Sequence, residues 1–169
     1  MHAFKATNLG LVAACCTFIT GNAASLTDLK SVIEGVYILD EWNSDGKVFR
    51  PPQVEGRFVL LNGNVVTILI NTAEESAKTY NSVFGVYSLT TNSFSYKYET
   101  RAGFTETSEK ILLSRAIPWE GMREFALTQQ GDSVHLQYGE KAAFDVNPAG
   151  LTYSEGGKPL RVWHRARSE

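Results

Sequence analysis

Beyond residue 34 the apolar positions recur every second residue, the period of a strand with one face buried and one face wet. Residues 35–42, GVYILDEW, predict a first strand, with Val36, Ile38, Asp40 and Trp42 on one face and Tyr37 and Leu39 on the other. Two β-branched runs, 56–61 and 64–70, flank Asn62-Gly63, which predicts a tight hairpin because both turn positions require positive φ. Further strands are predicted at 83–89, 93–99, 109–115, 122–128, 133–138 and 160–165. The sharpest alternation lies at 93–99: Phe94, Tyr96 and Tyr98 share one face, opposite Lys97 and Glu99. Charge is costly inside a core, so the aromatic face is expected to point inward. The polar stretches 43–46, 71–79, 101–108, 129–132 and 139–159 read as turns and loops, and Pro51-Pro52 as a connection. One helical period precedes the strands. Over 25–34, Leu26, Leu29 and Ile33 fall on one face, with Ser25 or Thr27 able to cap the start and Gly35 following the end.

About nine short strands after one helix, with no strand–helix alternation, exclude a parallel α/β sheet. No internal repeat supports a propeller or solenoid. An antiparallel meander of this length must curl, split or close, and closure removes its exposed edges. The expected fold is an all-β, closed antiparallel up-and-down barrel of about 8–9 strands with a short N-terminal helix. A barrel of that size has room for its own side chains or one small ligand.

Residues 1–23 have a different character. Lys5 precedes an uncharged apolar run from Leu9 to Ile19, and Gly21 and Ala23 supply the small residues a signal peptidase needs. The run is too short to span a bilayer. It predicts a signal peptide cleaved before Ala24, a domain over 24–169, and a secreted or periplasmic location. A competing reading takes Val12-Ala13-Ala14-Cys15 as a lipoprotein box, which would attach the protein to a membrane through a lipid on Cys15. Cys15 and Cys16 both fall in this leader, so the processed domain is expected to hold together without a disulfide.

Composition narrows the chemistry. With 16 Lys and Arg against 18 Asp and Glu there is no electrostatic footprint for nucleic acid, and loss of Lys5 with the leader makes the balance slightly more acidic. His135 and His164 lie on separate predicted strands with no metal-ligand spacing, so no metal and no cofactor is expected. Neither a Gly-x-Ser-x-Gly elbow nor a glycine-rich turn opening a helix occurs. Asp40 is the candidate acid or base, because its predicted face is otherwise apolar and burial would raise its pKa; the alternative leaves it solvated at a rim. The aromatic residues are the richest signal. Trp42, Phe58, Phe84, Phe94, Tyr96, Tyr98 and Trp119 are the candidate ligand-binding set, the alternative being that they simply fill the barrel. Arg115, Arg123 and Arg161 are candidates for a cluster near the mouth that binds a carboxylate head group. Stacking offers them another role, and Arg161 or Arg165 is expected to seal the barrel against a first-strand aromatic.

Three features resemble the bacterial and fungal lipocalin-like domain of the calycin superfamily. A helix runs into Gly35-Val36-Tyr37, where lipocalins often carry Gly-x-Trp. Asp45-Gly46-Lys47-Val48, a proline pair and a glycine precede an extended hairpin, and Arg161-Val162-Trp163-His164-Arg165 forms a basic and aromatic last strand. The resemblance covers roughly residues 30–165 and implies an up-and-down barrel with a cavity. It also implies a role in binding one apolar small molecule. A barrel isomerase or cyclase using a buried carboxylate or tyrosine, and a solidly packed barrel serving as a protein-interaction module, are the competing expectations.

Overall fold

The computed structural model describes residues 25–74 and 76–167. The expected signal segment and both cysteines therefore lie outside the described residues. The chain begins with helix α1 (Leu26–Ile33), capped by Ser25, whose hydroxyl accepts from the Asp28 amide while the Asp28 carboxylate accepts from the Ser25 amide. Leu29 and Ile33 are buried; Leu26 is exposed.

Twelve strands follow: β1 (Gly35–Ser44), β2 (Lys47–Phe49), β3 (Val54–Leu61), β4 (Asn64–Asn71), β5 (Lys78–Leu89), β6 (Ser93–Glu106), β7 (Ile111–Ser114), β8 (Arg123–Gln130), β9 (Ser133–Tyr138), β10 (Ala142–Asn147), β11 (Gly150–Glu155) and β12 (Lys158–Arg165). Ten of these form an antiparallel meander that closes when β12 pairs with β1; β2 and β7 are side branches on β1 and β6. The all-β, closed up-and-down barrel is as expected, with more strands than expected. The difference comes mainly from 139–159, expected as a connection. It contains β10 and β11, where Ala142, Phe144 and Val146 point inward and alternate with less buried neighbours. The expected loop at 101–108 is largely the second half of β6, which runs on to Glu106. The Asn62-Gly63 hairpin is present with φ values of 50° and 79°.

Three bulges interrupt the alternation, one leaving Leu160 extra in β12 beside Arg161 and the other two lying in β1 and β6. Leu39 pairs with Trp163 and Glu41 with Val162, which leaves Asp40 as an extra residue in β1. The alternation therefore shifts. Tyr37 and Leu39 point in, Asp40 points out, and Trp42 points in again. Val36, Ile38 and Asp40 share the outward face, and this one inserted residue takes Trp42 out of the face expected to hold all four. In β6, Glu99 is the extra residue between the pairs Phe84–Thr100 and Gly85–Tyr98. Gly85 faces this bulge so closely that a Cβ there would lie 1.8 Å from the Lys97 carbonyl oxygen.

The end of the barrel where β1 starts and β12 finishes is closed by α1. Leu29 and Ile33 join the core, and the Tyr37 hydroxyl donates to the Ile33 carbonyl at 2.7 Å. Arg165 seals the joint: it donates to the Glu34 carbonyl at 2.8 Å, to the Val32 carbonyl and to the Tyr37 hydroxyl, with its guanidinium over the Tyr37 ring. Tyr87 donates to the Glu34 carboxylate beside it. This half is packed solid by Tyr37, Leu60, Val65, Phe94, Phe125 and Leu136.

Candidate functional site

The half of the barrel away from α1 is not filled. It holds a cavity of about 440 Å³ lined by side chains from β1, β3–β6, β8 and β10–β12 and by the 115–122 connection. Interior diameter grows with strand number, and ten strands enclose more width than side chains alone fill. The volume falls within the range of small-molecule pockets.

The wall is largely aromatic. On β6, alternation turns Tyr96 and Tyr98 inward, while Lys97 and Glu99 face out and form an ion pair of 2.8 Å. Phe58 packs against Trp163 and is stacked on Phe144, with ring centroids 6.1 and 6.0 Å apart. Trp119, from the connection before β8, reaches back to lie 4.8 Å from the Tyr98 ring and 5.4 Å from Tyr96. β8 pairs with β6 only over Ser93–Tyr96, so Trp119 covers the stretch where these two strands have separated. Arg101 anchors the same connection, donating to the Ala116 carbonyl at 3.0 Å and to the Asn81 side-chain carbonyl. The Glu99 bulge is what turns Arg101 to the inside after Tyr98.

Of the expected ligand-binding residues, Trp42, Phe58, Tyr96, Tyr98 and Trp119 line this cavity. The other two do not. Phe84 is next to inward-facing Val83, points outward and is 48% exposed, because strand alternation forbids both on one side. Phe94 faces inward but lies one step lower in β6, in the solid half of the core against Tyr87 and Phe125. Asp40 takes the solvated alternative: it follows inward-facing Leu39 and points outward, where its carboxylate lies 2.7 Å from His164 Nδ1 and nearly half of the side chain is exposed. Sequence reading missed Thr67, Phe144, Tyr153 and Trp163. The inward period of β10 was the available signal for Phe144, and the Tyr98 hydroxyl locates Thr67 at 2.8 Å.

Burial raises the pKa of Tyr98 and pushes that of Tyr96 up strongly; the Thr67 hydrogen bond and the nearby arginines only partly oppose it. Tyr153 is raised by burial and by donating to the Glu155 carboxylate at 2.5 Å. Burial thus favours the neutral form of all three phenols. Glu155, which contributes the carboxylate at this cavity, is exposed at its rim.

Arginines complete the lining. Of the expected cluster, Arg123 and Arg161 line the cavity with Arg101, while Arg115 lies in a separate outer depression. Arg123 lies 3.7 Å above the Trp119 ring and Arg161 4.5 Å above Trp42, the first-strand aromatic it was expected to meet. Burial lowers the pKa of Arg161, partly offset by Tyr153, Tyr98 and Glu155.

The geometry amounts to one donor-rich aromatic cavity in a closed antiparallel barrel, consistent with a calycin-like architecture. No family model, no curated protein and no solved structure matches this chain.

Proposed function

We propose that the protein binds one small, largely apolar molecule in the upper cavity of the barrel, and that it does so after export from the cell. The carrying observation is that about 440 Å³ is left open between aromatic side chains on rigid strands. The general reason is energetic. A void lined by unfilled surface forfeits packing energy, so a barrel kept only for its fold gains by filling it. The reading as a barrel isomerase or cyclase loses the carboxylate expected to serve it, since Asp40 faces solvent. A solidly packed interaction module is disfavoured by the cavity itself.

Native mass spectrometry of protein purified from its source tests the binding reading. The expected result is an added mass at one-to-one stoichiometry that survives gentle ionisation and is lost on unfolding. Protein that arrives empty and fails to take up an environment-sensitive apolar fluorophore would refute it. Export is tested by sequencing the N-terminus of the protein outside the cytoplasm, with a start at Ala24 expected. A start at Met1 would overturn export by a cleaved leader, and a lipid on Cys15 would replace a free protein by a membrane-anchored one.

A further inference from the structure

We propose that the occupant of the cavity is an amphipathic carboxylate, whose head group sits against Arg123 and Arg161 and whose apolar body lies along Tyr96, Phe58 and Trp163. The proposal rests on the reading of the cavity as a ligand site and adds a charge to the ligand.

The argument starts from unmet donors. Arg161 Nε and Trp119 Nε1 are buried and have no hydrogen-bond partner among the described residues, and both residues line the cavity. Both orphaned atoms are N–H groups, so the missing partner is an acceptor. Among the described residues, neither Arg123 nor Arg161 forms an ion pair with a carboxylate. Arg101 differs, because Asn81 and Ala116 already occupy its guanidinium. Two cavity arginines are thus stacked in place on Trp119 and Trp42 while their N–H edges remain without an anionic partner. Burying a cation without a counter-charge is costly, and stacking on a ring offsets part of that cost.

The two arginines act on one region. Tyr96, Tyr98 and Tyr153 each feel both Arg123 and Arg161 electrostatically. Glu155 acts on Arg161 from the rim, but its carboxylate takes the Tyr153 hydroxyl and forms no direct ion pair with either guanidinium among the described residues. The lining therefore holds three arginines against one rim carboxylate. A planar carboxylate matches a guanidinium fork with two parallel hydrogen bonds, and it would be met at the terminal nitrogens of the two cavity arginines. Aromatic walls below the arginines suit an uncharged tail or ring and would reject a second charge.

The test compares three probes with the same tail: dodecanoate, 1-dodecanol and dodecyltrimethylammonium, each titrated into the purified protein with tryptophan fluorescence and calorimetry as readouts. Dodecanoate should bind about ten-fold or more tightly than the alcohol, and the ammonium probe most weakly. Arg161→Gln and Arg123→Gln should each erase most of the dodecanoate preference, read as the ratio of dodecanoate to dodecanol affinity within the same variant. The alcohol titration also shows that the variant barrel is folded and its cavity open. Arg161→Lys, which keeps charge but loses the fork, should recover only part of the preference. Equal affinities for dodecanoate and dodecanol in the wild type would overturn the charged head group and leave the apolar site standing. Failure of all three probes to bind would overturn the cavity reading itself, and this proposal with it.

Discussion

Single inserted residues control which side chains reach the cavity. If Asp40 were paired in register rather than bulged out of β1, strict alternation would bury Glu41 and turn Trp42 outward; if Glu99 were paired in register in β6, Arg101 would point away from the connection it anchors. Tyr96 is the residue on which the wall can be tested most directly. It is buried, faces the cavity, and contacts the rings of Tyr98, Trp119 and Phe144. Tyr96→Ala should weaken binding of an apolar probe about ten-fold and cost about 3 kcal/mol of stability, since a large aromatic leaves a gap. Lys97→Ala, on the outer face, should change neither by much, because its ion pair with Glu99 is solvent-exposed. Equal effects at the two positions would contradict the inward assignment of Tyr96. Chemical denaturation and probe titration of both variants, under conditions where each remains folded, measure this.

The outer surface carries a second residue-scale expectation. His135 Nδ1 lies 2.6 Å from the Asp145 carboxylate, and this contact, more than the weak burial that opposes it, raises the His135 pKa above its ordinary value. A raised folded-state pKa contributes stability that is complete below the unfolded value of about 6.5 and fades as pH rises through the folded value. The pair is exposed, so the contribution is small. Asp145→Asn should return the His135 titration, followed by nuclear magnetic resonance, toward about 6.5 and flatten the stability profile above that pH. A titration midpoint that does not move would remove Asp145 as the cause.

At the level of elements, the close pairing of β5 and β6 depends on Gly85. Any Cβ there would collide with backbone on β6, which cannot move without opening the bulge that positions Arg101. Gly85→Ala should cost about 3 kcal/mol and lower the melting temperature accordingly, whereas Gly46→Ala strains a φ of 75° in open space and should cost less. Element identity was legible wherever the alternation was strict. The aromatic column of 93–99, the Asn-Gly hairpin and the capped helix all appear as the pattern predicts. What the pattern hid has a common physical cause. A bulge changes the phase of alternation without changing composition, so the faces of β1 beyond Leu39 and of β6 beyond Tyr98 could not be assigned by counting. The strands β10 and β11 were masked differently, because the glycines, prolines and asparagines of their turns outweighed two short inward runs.

For the whole molecule, strand number joins fold to function. A ten-stranded closed barrel this wide must either collapse, admit water or keep a ligand-sized space. Here one half collapses onto α1 and the other stays open, so stability and binding are assigned to opposite ends of the same strands. That division predicts the effect of filling the cavity. Leu69 lines it from β4 and is only partly buried, so a larger side chain can enter without displacing the solid half of the core. Leu69→Trp should reduce apolar-probe binding at least about ten-fold while leaving thermal stability unchanged or raised by about 1 kcal/mol, as cavity-filling substitutions commonly do. A functional pocket held open against packing responds in this way: affinity falls while the fold holds or strengthens. Loss of stability together with unchanged probe affinity would instead mean that Leu69 is tightly packed and that the probe binds elsewhere. Probe titration and thermal unfolding on the same sample separate these outcomes.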